Sequence, residues 1–282
     1  MLRLSESQCT SWAKLHQRKV RKNMGQCLVE GWRSVSQVLQ NGQLSVQKII
    51  VSMDGGEGPS SQYMSSLQAW GITEDSVVMA TPTQCKKLSD TPSAQTIFAL
   101  VDIPEPWDVT RGLEGLSGQS QSLVLLLDDI QDPGNMGTIL RSASWFGVDA
   151  VLCTPGCVDP WNSKVIRSLA GAIGVMPIGQ VPYEWVESIP DSHAFYGLHV
   201  SDQALALDDV DWPSHTILAI GNEGNGLSEL TQGALKSEIR IPSVYDSKYH
   251  SRSVEPSKPP SVESLNAAMA ASIALYRYRQ KP

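Results

Sequence analysis

The sequence predicts an α/β protein in two parts, on three observations. Strand-sized apolar runs alternate with helix-sized stretches, the alternation starts twice, and a Pro/Gly/Ser-rich stretch over residues 104–120 lies between the two series. A length of 282 residues agrees, since domains commonly hold roughly 100–200 residues.

In order along the chain, a basic helix at the N-terminus precedes strands expected at 27–29, 46–51, 76–79 and 96–101, with helices at 31–40, 60–70 and 81–88 between them. These make a small α/β domain over residues 1–105, followed by a linker at 106–120. The pattern restarts at 123–128, which is apolar on both faces and suits a buried parallel strand. Further strands are expected at 150–153, 175–178, 194–200, 216–220 and 238–241, and helices at 137–146, 161–170, 227–235 and 264–278. Residues 121–282 therefore read as a second domain with a mostly parallel sheet. Ligands bind such sheets at the carboxyl ends of the strands, so the loops after Asp128, Ile220 and Ile241 are where chemistry is expected. Residues 243–261, rich in Ser and Pro, predict an irregular, mobile loop before the last helix.

Composition excludes several classes. The longest apolar run, 123–127, is far short of the roughly 20 residues that cross a bilayer, so no membrane partner is expected. The N-terminus carries Arg3, Glu6, Cys9 and Lys14 with no apolar signal-like run, which implies a reducing, cytoplasmic setting. Cys9, Cys27, Cys85, Cys153 and Cys157 are odd in number and scattered, as free thiols are. Cys153 and Cys157 lack a second pair, the five histidines show no ligand spacing, and no metal is expected.

The net charge of −7 opposes phosphate binding at first sight, but its distribution is uneven. Lys14, Arg18, Lys19, Arg21 and Lys22 crowd into nine positions, whereas no Lys or Arg occurs between Arg167 and Lys236. The first segment can meet phosphates; its plain alternative is a solvated helix face.

Three loops carry candidate chemistry. In the first, Asp128 to Gly137 runs into a helix bearing Arg141; Asn135 can cap that helix, and the Arg141 guanidinium offers a rigid donor fork to a phosphate or a developing negative charge. An ordinary Asx turn with a surface arginine is the structural alternative. The second, Gly221-Asn222-Glu223-Gly224-Asn225-Gly226, is neither the dinucleotide fingerprint nor a P-loop, and the absence of that fingerprint after the strand at 123–128 disfavours a dinucleotide-dependent enzyme. The third, Ser264-Leu265-Asn266, can cap the last helix, with Ile241-Pro242 ahead of it.

Together and in this order, the loops resemble the three motifs of the SpoU-type (TrmH-like) RNA ribose 2′-O-methyltransferases of the SPOUT superfamily. The first motif is similar through Asp132-Pro133-Gly134-Asn135-Met136-Gly137, Arg141 and Phe146-Gly147, the second through Ile220 to Leu227, and the third through Ile241-Pro242 and Ser264-Leu265-Asn266-Ala267. Residues 163–168 and Gly171-Ala172 also resemble the family pattern. More faintly, Cys27 to Gly31 with Arg33 resembles the start of the family's L30-like substrate-binding domain. The 243–261 stretch departs from the family, which usually joins the two halves of the third motif by a short link.

The resemblance implies a small N-terminal α/β (L30-like) domain and a C-terminal, mostly parallel α/β domain with a deep trefoil knot, acting as a homodimer with S-adenosyl-L-methionine. It places Asn135, Arg141, Glu223 and Asn266 at the reacting groups, and Ile220, Gly221, Ile241, Ser264 and Leu265 around the cofactor. Lys14, Arg18, Lys19, Arg21, Lys22, Arg33, Lys164 and Arg167 would meet the RNA. Ribosomal RNA of the large subunit is the expected substrate; a tRNA, or a non-catalytic RNA-binding or ribosome-assembly role on the same fold, are the alternatives.

Overall fold

The computed structural model describes residues 2–54, 58–59, 61–201, 203–243 and 264–280. Residues 1–105 with 159–175 make one compact unit, and residues 106–158 with 176–282 make a second.

In the first unit, β1 (Leu2–Arg3), α1 (Glu6–Ala13), α2 (Arg18–Met24), β2 (Gln26–Glu30), α3 (Trp32–Asn41), β3 (Val46–Asp54), β4 (Gly58–Pro59), α4 (Ser61–Ala69), β5 (Val77–Ala80), α5 (Pro82–Leu88) and β6 (Ile97–Asp102) follow in order. The sheet runs β1-β5-β3-β6-β2, with β4 beside β3. β3 lies parallel to β5 and antiparallel to β6. Local chemistry starts the helices: Ser5 and Gln8 form a reciprocal capping box before α1, and Thr81 and Gln84 form another before α5. Cys9 and Trp12 of α1 then pack with Leu28, Ile50, Phe98 and Leu100 of the sheet. The expected basic N-terminal helix is two helices joined by a 3-10 turn at Lys14–His16.

The second unit opens with α6 (Val109–Ser117), where a linker was expected. Its composition suggested a flexible join, yet Asp108 caps it and Leu113 is buried among Val124, Leu152 and Ile217. Then come β7 (Ser122–Leu127), α7 (Pro133–Trp145), β8 (Ala150–Cys153), α8 (Ser163–Leu169, in the first unit), β9 (Ile178–Gln180), β10 (Ala194–Leu198), β11 (Leu205–Ala206), β12 (His215–Ile220), α9 (Glu229–Ala234), β13 (Ser237–Arg240) and α10 (Ala267–Arg279). The sheet order is β11-β13-β10-β12-β7-β8-β9, and every pair is parallel. β7, at its heart, is buried along its whole length, as its unbroken apolar run predicted. The strand expected at 175–178 starts later, because Gly174 takes a left-handed turn just before it. Among the described residues no helix is long and apolar enough to cross a membrane. The 243–261 loop falls almost wholly outside the described residues.

Residues 159–175 pack with the first unit, and two ion pairs hold them there. Arg21 is only 2% exposed. Its guanidinium donates to Asp159 and to the carbonyls of Leu15 and His16, at 2.8 and 2.9 Å for the carbonyls. Arg167 donates to the buried Glu30 carboxylate at 2.5 Å and lies 3.6 Å from Asp90. Both arginines were expected to face RNA. Arg21 is instead a buried structural cation, and Arg167 is occupied by two carboxylates. Removing one partner of a buried pair typically costs about 3–5 kcal/mol. Arg21→Ala should therefore lower unfolding stability in chemical denaturation by about that much; a loss under about 1 kcal/mol would mean Asp159 is readily rehydrated.

Candidate functional site

The second unit's loops converge because β7 and β12 are parallel neighbours, with Leu127 paired to Ile220 at their carboxyl ends. The loop after β7 starts with Asp128, wholly buried; its backbone N–H donates to the Ile220 carbonyl at 2.9 Å. One carboxylate oxygen of Asp128 accepts from the Ser228 backbone N–H at 2.8 Å, tying the far end of the second loop to the first strand. The other oxygen is buried without a hydrogen-bond partner among the described residues. Asp129, left-handed at φ 61°, offers its carbonyl to the Asn222 side-chain amide at 2.9 Å. Two anchors thus fix the second loop to the first.

The second loop is itself closed. Asn222 and Gly226 exchange backbone hydrogen bonds of 2.9 and 2.8 Å, with Gly226 at φ 70°, a conformation that favours glycine. A Cβ on Gly221 would lie 2.3 Å from the Gly226 carbonyl carbon, so Gly221 is required by the close approach of the loop's own backbone. Glu223 projects from this loop and accepts a hydrogen bond from the Asn135 side-chain amide. The Asn135 side-chain oxygen in turn accepts from the Asn266 amide at 3.0 Å. Asn266 also caps α10, its side-chain oxygen accepting from Ala268 and Met269 N–H groups. One side chain from each motif therefore joins a single chain, Glu223–Asn135–Asn266. The cap of α7 differs from expectation: Asp132 performs it, with Pro133 in the first turn, and the helix starts four residues early, leaving the Asn135 side chain free for Glu223.

Beside this chain lies a cavity of about 730 Å³. Ile220, Gly221, Ile241, Ser264 and Leu265, expected around one ligand, all line it, and Glu223 does too. His199, Asn222 and Ser243 were not anticipated and also line it. His199 follows β10, the strand between β12 and β13, and its Nδ1 lies 2.9 Å from the Glu238 carboxylate. No spacing in the sequence pointed to it, since strand order decides its place. Arg141 does not line the cavity. It is exposed on α7, six residues or about 9 Å of helix beyond Asn135 and on another face. Of the basic residues, Lys14, Arg18, Lys19, Lys22, Arg33 and Lys164 are exposed, all in the first unit.

A parallel sheet whose strand-end loops close on one cavity defines a ligand-binding α/β fold. The chain belongs to the SpoU rRNA Methylase family, whose profile matches residues 122–276. Residues 7–99 match a second profile, the MRM3-like substrate binding domain. The 23S rRNA (guanosine(2553)-2′-O)-methyltransferase RlmP of Bacillus subtilis is 29% identical, over 95% of this chain and 94% of its own. Human mitochondrial rRNA methyltransferase 3 is 28% identical, over 94% of this chain and 70% of its own. Among solved structures, the SpoU methyltransferase AviRb of Streptomyces viridochromogenes superposes with a TM-score of 0.76 at 25% identity, covering 98% of this chain and 97% of its own. The family makes the chain an RNA methyltransferase.

Asp128 is the anchor with most at stake, because its loss strands the half-buried Ser228 N–H. Leaving such a group unpaired costs about 1–3 kcal/mol. Asp128→Ala should lower stability by that amount and raise amide exchange across residues 221–228, read by hydrogen–deuterium exchange. Unchanged exchange there would show that the carboxylate does not hold the loop.

Proposed function

We propose that this protein methylates the 2′-hydroxyl of a ribose in structured RNA, with S-adenosylmethionine as donor and large-subunit ribosomal RNA as substrate. The observation that carries this is the Glu223–Asn135–Asn266 chain beside the cavity lined by Gly221, Ile241 and Leu265. That cavity suits the donor: Ile220, Ile239, Ile241 and Leu265 give it apolar walls for an adenine, while Asn222, Ser243 and Ser264 add polar groups for a ribose and an amino-acid end. AviRb has itself been solved in complex with this cofactor. When bound, the cofactor supplies an electrophilic methyl group on a sulfonium.

The chain's own residues then hold and orient. Asn135, fixed at both ends of its carboxamide, presents a rigid polar edge to the ribose, and Glu223 and Asn266 keep it from rotating. Alignment of the 2′-oxygen with the methyl group supplies much of the rate in such a displacement. Arg141 acts as a cation that holds the neighbouring phosphate and stabilises the developing alkoxide. The proton passes to a phosphate oxygen, water or another side chain. Lys14, Arg18, Lys19, Lys22, Arg33 and Lys164 supply exposed positive charge for the RNA, and the match to a substrate-binding profile over residues 7–99 supports that role.

The same reading includes a homodimer, a trefoil knot and a cytoplasmic setting. Support for the dimer is a stripe on α10, where Met269, Ile273 and Tyr276 are 58%, 41% and 55% exposed, next to Trp145 of α7 at 84%. Ser142 and Ser272 bond across these helices, and Arg141 lies one turn before Trp145 on the same face. A second copy docked here brings Arg141 to the junction. Five free cysteines, all buried, agree with a reducing compartment.

Methyl transfer from labelled cofactor should appear on ribosomal RNA and not on tRNA, with the label mapped to a ribose; label on a base or on tRNA alone would overturn the reading. Arg141→Ala should keep cofactor binding in calorimetry and lose turnover by at least about 100-fold. Gly221→Ala should show the converse split, since the loop must shift to admit the methyl group: cofactor affinity at least tenfold weaker in a protein that still folds.

A further inference from the structure

The amino ends of the second unit's strands hold another cavity, of about 770 Å³, that the methyl-transfer reading does not use. It is lined by His193, which precedes β10, and His215, which opens β12. These residues are 22 apart in sequence, so no ligand spacing exposed them; parallel pairing of Ala194 with Thr216 sets them side by side. Their ring centroids are 5.5 Å apart. His193 is 4% exposed, and its Nε2 is buried with no hydrogen-bond partner among the described residues.

The other ring nitrogens are occupied in the same way. His193 Nδ1 lies 3.1 Å from the Ser192 hydroxyl, and His215 Nδ1 lies 3.0 Å from the Ser122 hydroxyl. With each Nδ1–H donating to its serine oxygen, both Nε2 atoms carry lone pairs, which is the tautomer and outer support that metal-binding histidines need. Two imidazoles sharing one ion at about 2.0–2.1 Å per nitrogen place their ring centroids about 5 Å apart, close to the separation found. Glu187, Asp191 and Glu229 also line the cavity against a single cation, Lys236, so its charge favours a positive ligand.

We propose that His193 and His215 together bind one borderline divalent transition-metal cation, of the Zn²⁺ class, through their Nε2 atoms, with water completing the shell. Among the described residues no group of three His, Cys, Asp or Glu side chains is placed to hold a metal, so the site has two protein ligands and is exchangeable. Nitrogen donors without thiolates select Zn²⁺, Ni²⁺ or Cu²⁺ over Mg²⁺ or Ca²⁺.

The test uses the untagged full-length protein, titrated calorimetrically with Zn²⁺ and, separately, Mg²⁺. One Zn²⁺ per chain is expected, with no Mg²⁺ heat. His193→Asn and His215→Asn keep an amide where Nδ1 stood and remove Nε2; each should weaken Zn²⁺ binding at least tenfold while melting temperature and cofactor binding stay near those of the parent. Absence of Zn²⁺ binding by the folded parent, or unchanged affinity in both variants, overturns the proposal. Should either variant fail to fold, Co²⁺ substitution of the parent decides. A visible spectrum of nitrogen and oxygen coordination supports the pair, and a thiolate-to-cobalt charge-transfer band, placing the ion at cysteine, overturns it.

Discussion

The carboxamide of Asn135 is a two-way hydrogen-bonding group, and the site depends on both ends being used. Its amide donates to Glu223, 88 residues away, while its carbonyl accepts from Asn266, 131 residues away. Neither neighbour could be replaced by an apolar residue without freeing that carboxamide to rotate. Because Asn266 also caps α10, the last helix and the site chain share one side chain: its oxygen serves the helix and its amide serves Asn135. Helix stability and site geometry are therefore coupled at this residue.

Parallel strand order is what makes such distant pairing inexpensive. β12 and β7 are adjacent and point the same way, so their exits emerge side by side, and Asp128 and Asp129 need reach only across one strand spacing to hold Ser228 and Asn222. Burying the Asp128 carboxylate is costly on its own, and one oxygen has no hydrogen-bond partner among the described residues. The expense falls at the strand end that supports both loops, which is where rigid placement has a use. A looser loop would leave Glu223 without a fixed position relative to Asn135.

Much of this was legible from the sequence. The unbroken apolar run of β7 announced a buried parallel strand, and with it the end of the sheet at which to look; Gly221, Ile241 and Leu265 then fell on one cavity as expected. What stayed hidden was set by tertiary pairing. Composition made residues 106–120 look like a linker, although a cap at Asp108 and one buried leucine suffice for a packed helix. His199 entered the cavity through strand order alone, and the exposure of Arg141, away from that cavity, follows from its angular position on α7.

Charge counting failed for a different reason, and the failure is informative. Five cations in nine positions read as one basic patch, yet Arg21 is turned inward by Asp159 and two backbone carbonyls, while Lys14, Arg18, Lys19 and Lys22 remain exposed. A guanidinium has five donors in a planar fork and can satisfy a carboxylate and two carbonyls at once, which an ammonium does less well; the arginine with acidic and carbonyl neighbours is the one taken for structure. Arg167 repeats the pattern with Glu30 and Asp90. The exposed cations of the first unit are thus mostly lysines, flexible point charges suited to a phosphate backbone. The two arginines hold residues 159–175 in that unit, although the neighbouring stretches of chain on both sides belong to the parallel sheet. Arg141 differs from both: it has no ion pair or hydrogen bond among the described residues, so its fork remains available to an anion from outside the chain.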